Sequence, residues 1–148
     1  MANHLRRQIR ERAASTLTGL STTGSNVFQT RVYPMESAGL PGLCIYTTDE
    51  TVELSTIGSI RTLFRRLDLM VEGYAKASAN LDDSLDQIAK EVEIAMAADI
   101  GLNSLAHDSY LTATENVFSR EGEQPIGVIQ MSYSVVYESA ENAPDVAL

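Results

Sequence analysis

Apolar positions along the chain follow two different periods. Leu5, Ile9, Ala13, Thr16, Leu17 and Leu20 fall within one arc at about 100° per residue, which predicts an amphipathic helix capped by Asn3 and running to about Thr18. Gly19 and the polar residues 21–26 stop it. Residues 27–33 alternate as a strand does, with Phe28, Thr30 and Val32 on one side, and Pro34 ends the run. Residues 35–41 read as a loop and residues 43–48 as a short apolar, β-branched strand. The stretch 49–59 reads as polar, either the tip of a long hairpin or a mobile loop.

Over residues 61–75 the period is two. Leu63, Leu67, Leu69 and Val71 point one way, with Arg65 as the break, and Arg66, Asp68, Met70, Glu72 and Tyr74 point the other. The helical period returns after Asn80, which is placed to cap a second helix with Asp82 and Asp83 in its first turn. Leu81, Leu85, Ile88, Val92, Ala95 and Met96 make its buried stripe, and Asp82, Asp86 and Glu93 form a ridge along one flank. Residues 110–119 and 126–138 are two further strands, joined by a hairpin signal around Gly122.

The resulting order is α-β-β-β-α-β-β. Two helices with one apolar stripe each require a surface that covers both, and a sheet with one apolar face provides it. The expected fold is therefore α+β: an antiparallel-rich mixed sheet of about five strands with both helices on one face. Residues 1–138 form the single expected domain and residues 139–148 a C-terminal tail. Both the tail and residues 49–59 lack periodicity and are expected to be mobile in an isolated subunit. The uncovered sheet face would show Arg66, Met70, Tyr74, Val128 and Val136 among polar neighbours, a mixture suited to a subunit interface.

The length of 148 residues fits one domain, and 44% hydrophobic and 21% charged residues fit a globular chain. No apolar run reaches about 18 residues, and the Arg-rich N-terminus has no apolar stretch behind it, which speaks against a membrane span or secretory signal. The net charge of −9 divides unevenly. Residues 1–74 carry eight Lys or Arg against seven Asp or Glu, and residues 75–148 carry three against thirteen. So acidic a chain lacks the cations that non-specific phosphate binding requires.

Candidate chemistry is sparse. His4 and His107 have no second imidazole or thiolate at metal-ligand spacing, and Cys44, the only cysteine, lies inside an apolar run as a small buried hydrophobe. Ser104, His107 and Asp108 are the right residue types for a nucleophilic triad but crowd into one turn without a nucleophile elbow. Gly19 and Gly24 lie between a helix and a strand, whereas a phosphate loop needs the reverse order. The expectation is no catalytic residue, no metal and no cofactor. One local rule is broken. Arg6 and Arg7 sit in the first turn of helix 1 and oppose its dipole, at a cost of roughly 0.3 kcal/mol or more each. With Arg10 and Arg12 they form a basic surface suited to carboxylates on another subunit, with Asp82, Asp86 and Glu93 as the candidate counterpart.

The order and spacing of several stretches resemble the minor tail protein U family, the tail terminators of lambda-like long-tailed bacteriophages. These stretches are Leu5-Arg-Arg-Gln-Ile-Arg10 opening a helix, Arg31-Val-Tyr-Pro34, Leu40-Pro-Gly-Leu-Cys-Ile-Tyr46, Leu69-Met-Val-Glu-Gly-Tyr74, Leu81-Asp-Asp-Ser-Leu-Asp-Gln-Ile-Ala89 and Gln124-Pro-Ile-Gly-Val128. The resemblance spans residues 3–138. It implies an α/β subunit of a hexameric ring that caps the tail tube, stops its polymerisation and meets the head-tail connector. The partners so implied are other copies of itself, the tail tube protein and the connector, with DNA passing through the lumen without specific binding. Its place would be the virion, after assembly in the host cytoplasm, with no cofactor and no catalysis. Two other readings are a different neck or tail-completion protein, and, in another class, a small-molecule-binding α+β module with a concave apolar pocket.

Overall fold

The computed structural model of the chain describes residues 2–31, 40–76, 79–119 and 126–148. Its elements are α1 (Leu5–Thr16), β1 (Val27–Phe28), β2 (Gly42–Leu54), β3 (Thr62–Lys76), α2 (Leu81–Ala97), β4 (Asp108–Ser119) and β5 (Ile126–Ala140). The expected order α-β-β-β-α-β-β is therefore the observed one. The strands form a single mixed sheet in the order β1-β2-β3-β5-β4, with β1 parallel to β2 and every other pair antiparallel. The expected loop at 35–39 and the hairpin turn at 120–124 lie outside the described residues, as do residues 32–33 of the first expected strand.

Both helices cover one face of the sheet. Leu5, Ile9, Ala13 and Leu17 of the first helical segment, and Leu85, Ile88, Val92 and Met96 of α2, share one core with Leu43, Ile45, Leu67, Leu69, Val71, Met131, Val135 and Tyr137. Each fully buried Leu, Ile or Val contributes about 1.5–3 kcal/mol. Period-two alternation in β3 and the 3.6 stripe of α2 thus meet as their spacing requires. Two glycines let α2 approach closely: a Cβ on Gly73 would stand 2.7 Å from Ile88 Cγ2, and one on Gly127 would stand 2.7 Å from Leu81 Cδ1.

A bulge in β2 between Thr47 and Glu50 changes the phase of that strand. Leu43 and Ile45 face the helices before it; Glu50, paired with Leu67, faces them after it. Arg65, the apparent break in the β3 pattern, keeps its inward phase and is buried because Glu50 is there to meet it.

Two local expectations change and a third is narrowed to one of its alternatives. His4 rather than Asn3 takes the N-cap of α1, its Nδ1 accepting the Arg6 N–H at 3.1 Å. Residues 50–54 continue β2, so the segment 49–59 is the end of a long hairpin, the first of the two alternatives. Residues 141–148, expected to be mobile, fold back onto the domain: the Leu5 N–H donates to the Pro144 carbonyl at 2.8 Å, Gln8 donates to the Asp145 carbonyl at 3.0 Å, and Ala147 packs on the core. The residues that lack periodicity of their own are held by the Leu5 N–H and the Gln8 side-chain amide of α1.

Candidate interaction surface

α1 lies over β2, and the structure gives each of its four arginines a partner within the chain. Arg6 Nη1 lies 2.8 Å from Glu50 Oε2, Arg7 Nε 2.6 Å from Glu11 Oε1 one turn on, Arg10 Nε 3.2 Å from Gln29 Oε1, and Arg12 Nε 2.9 Å from Asp99 Oδ2. Arg6 and Arg7 nevertheless remain about half exposed, so the first turn of α1 still presents positive charge. Arg12 instead fastens α1 to the end of α2, where Thr16 also donates to Asp99 at 2.8 Å. Burial raises the Asp99 carboxyl, but the Thr16 and Arg12 hydrogen bonds outweigh it and hold the group below its usual value.

Asp82, Asp86 and Glu93 are exposed along one flank of α2. Glu93 lines a groove with Tyr110 and Leu111, which places this flank on the β4 side of the sheet. The opposite flank is used internally: Glu91 accepts the Thr22 N–H at 2.8 Å and the Thr22 hydroxyl. The basic turn of α1 and the acidic flank of α2 therefore stand towards opposite edges of one sheet. The structure does not bring the two sets together within one chain.

The uncovered face of the sheet is less open than its alternation predicts. Val128 and Val136 are buried, and Glu72, expected on the surface, is 5% exposed and accepts hydrogen bonds from the Tyr46 and Tyr74 hydroxyls. Burial, followed by the hydrogen bonds to Glu72, raises both phenols above their usual value. Cys44 lies opposite Glu72 in the β2–β3 register; burial first and the Glu72 charge second push its thiol up to about 12. Further along, Arg66 donates to the Tyr110 hydroxyl at 2.7 Å.

The feature that the sequence pattern hid is apolar. Val52, Leu54, Ile57 and Ile60 on the β2–β3 hairpin are all exposed, Ile57 almost completely at 98%. The signal was present: residues 51–60 hold four aliphatic side chains and one charge, Glu53, which is not the composition of a solvated loop. The turn is also conformationally unusual. Ile60 has φ +52°, a region that β-branched side chains rarely adopt, beside Gly58 at φ +106°. Across the sheet, the groove between α2 and β4 encloses about 260 Å³ over Met96, Leu111 and Tyr133, with Ile100 and Tyr110 on its lip.

The residues considered for catalysis have other engagements. His107 Nε2 lies 2.8 Å from the Leu148 carbonyl, Asp108 Oδ1 accepts the Ser109 N–H at 2.9 Å, and Ser104 is exposed in a left-handed turn at φ +65°. Among the described residues no three His, Cys, Asp or Glu side chains are grouped to hold a metal ion. Among the same residues no helix is long and apolar enough to cross a membrane.

No protein-family model matches the chain, and no curated protein sequence matches it. Among solved structures, the chain is similar to one from the "Virion of native gene transfer agent (GTA) particle", with 92% of each chain covered, 13% sequence identity and a TM-score of 0.42. A likeness at this level speaks to neither family nor activity.

Proposed function

We propose that this chain is a structural subunit of a phage-type virion, a tail terminator that assembles as a ring on the end of the tail tube, stops tube growth and presents a surface for head-tail joining. The observation that carries the reading is the placement of the α1 arginines and the α2 acidic flank towards opposite edges of the sheet. A surface on one side that complements a surface on the other makes a head-to-tail contact, and such contacts close into a ring when the rotation divides a full turn. The family resemblance in element order supplies the rest: a hexameric ring, the tube protein and the connector as partners, and a non-enzymatic role. The net charge of −9 suits a ring through which DNA passes without being gripped.

A tube grows by adding identical rings, and each ring exposes the same upper surface, so a terminator must bind that surface and offer a different one. The test is a phage lacking this protein, viewed by electron microscopy. The expected particles are full heads and unjoined tails of irregular, excessive length, with rescue when the protein is supplied. Tails of normal length, already joined to heads, would refute the terminator role and favour another neck component.

A further inference from the structure

The β2–β3 hairpin and the α2–β4 groove are complementary in three respects. Val52, Leu54, Ile57 and Ile60 are exposed on the hairpin, an apolar patch of the kind that soluble monomers seldom leave open. The groove has an apolar floor of Met96, Leu111 and Tyr133 under an exposed Ile100. The charges are opposed. Arg6 stands at the base of the hairpin, joined to Glu50 and still half exposed, whereas Glu93 is the charged residue among the described groove lining. The two surfaces belong to different strands of the sheet, the arm to β2 and β3 and the groove to β4 and β5, so their union joins unlike surfaces of two copies.

We infer that the hairpin tip around Ile57 of one copy seats in the α2–β4 groove of the next copy of the same chain, with Arg6 facing Glu93 at the rim. This contact rests on the self-assembly reading above and specifies which surfaces meet. Ile60 and Gly58 turn the chain at the tip with positive φ, and the buried Glu50–Arg65 pair fixes the arm's root. The arm is thus presented in one orientation before it meets its partner, which limits the ordering cost of association.

Two measurements on the full chain test the contact. Ile57→Asp changes a side chain that touches little else, so its circular dichroism and melting curve should match the wild type. Its assembly in sedimentation experiments should require at least about tenfold more protein, the consequence of burying a carboxylate in an apolar groove. Separately, Ile57→Cys and Ile100→Cys chains mixed under mild oxidation should give a covalent dimer that neither variant forms alone. If the wild type assembles but Ile57→Asp assembles equally well, or if the mixture gives no cross-link, the arm-in-groove contact is wrong and the self-assembly reading survives. A wild type that stays monomeric at the highest soluble concentration overturns both.

Discussion

Glu50 of β2 and Arg65 of β3 meet inside the protein, carboxylate to guanidinium at 3.2 Å, with 8% of either side chain exposed. Arg6 reaches the same carboxylate oxygen from α1 at 2.8 Å, and the Tyr137 hydroxyl of β5 donates to the other oxygen. Arg65 is further satisfied by Ser139 Oγ at 3.2 Å and lies over the Tyr137 ring. One carboxylate thus ties together the first helix and three adjacent strands. The β2 bulge makes this possible, because without the phase change Glu50 would point away from Arg65.

Removing one member of a buried pair leaves the other charge uncompensated. Glu50→Ala is expected to cost about 3 kcal/mol or more in urea unfolding, within the range for broken buried pairs. Glu50→Gln keeps the volume and two hydrogen-bonding groups and should cost less. A Glu50→Ala loss below about 1 kcal/mol would show that Arg65 finds water or another acceptor.

The α+β order, the β3 phase and the α2 stripe were legible because each rests on a long, uninterrupted period: Leu67, Leu69, Val71, Leu85, Ile88 and Val92 all reach the core assigned to them. The end of a long hairpin is one of the two readings the sequence offers for 49–59, but its apolar character is masked because its aliphatic residues alternate with Ser, Thr, Gly and Glu, although strand pairing continues to Leu54. The period of two puts Glu72 and Tyr74 on one face, but the burial of Glu72 also depends on Tyr46 of the neighbouring strand, which no local period records. The α1 arginines were recognised as a cluster. Glu11, the partner of Arg7, lies at i+4 and is legible from spacing, whereas Glu50, Gln29 and Asp99, the partners of Arg6, Arg10 and Arg12, are long-range contacts and are not.

Gly73→Ala tests the approach of α2 to β3. The added methyl would stand 2.7 Å from Ile88 Cγ2 and 3.0 Å from Ile129 Cγ2, so a packed core must move. Overpacking of this kind costs about 1–3 kcal/mol. Ile88→Leu in the same chain removes the Cγ2 branch that the methyl meets and should recover part of that loss, even though the leucine alone reshapes a packed core. Thermal melts of the two single variants and the double variant measure the coupling, and simple additivity would place the strain elsewhere.

Alkaline conditions should weaken the fold before they would weaken an ordinary surface. Burial raises the thiol of Cys44 from 9.0 to about 12, and it raises the phenols of Tyr46, Tyr74, Tyr133 and Tyr137 above 10.0. The unfolded chain ionises these groups first. The stability they contribute is therefore complete below about pH 9 and falls as pH rises towards the folded values. On the acid side, hydrogen bonds overcome burial to lower the carboxyls of Glu91 and Asp99, so their contribution is present above 4.5 and 3.8 and disappears as pH falls below those values. Urea midpoints across pH should show a plateau between these limits. Native Cys44 should resist a thiol reagent at pH 8 and react on unfolding; rapid native reaction would contradict its burial.

Residues 142–148 should be required for the stability of α1, although their sequence has no helical or strand period. The Leu5 N–H in the first turn donates to the Pro144 carbonyl at 2.8 Å, Gln8 donates to the Asp145 carbonyl, and Ala147 covers part of the core. Deleting 142–148 leaves the buried Leu5 amide without that acceptor and opens apolar surface above it, for an expected loss of about 2–3 kcal/mol. Deleting Leu148 alone removes an exposed side chain, its link to His107 and the hydrogen bond from its N–H to the Glu138 carbonyl at 3.1 Å, and should cost about 1 kcal/mol or less. Hydrogen exchange gives the decisive readout. The Leu5 amide should be protected in the full chain and in the chain lacking only Leu148, and should exchange rapidly once 142–148 are gone. Equal protection in all three would mean that α1 holds its first turn by the His4 cap alone.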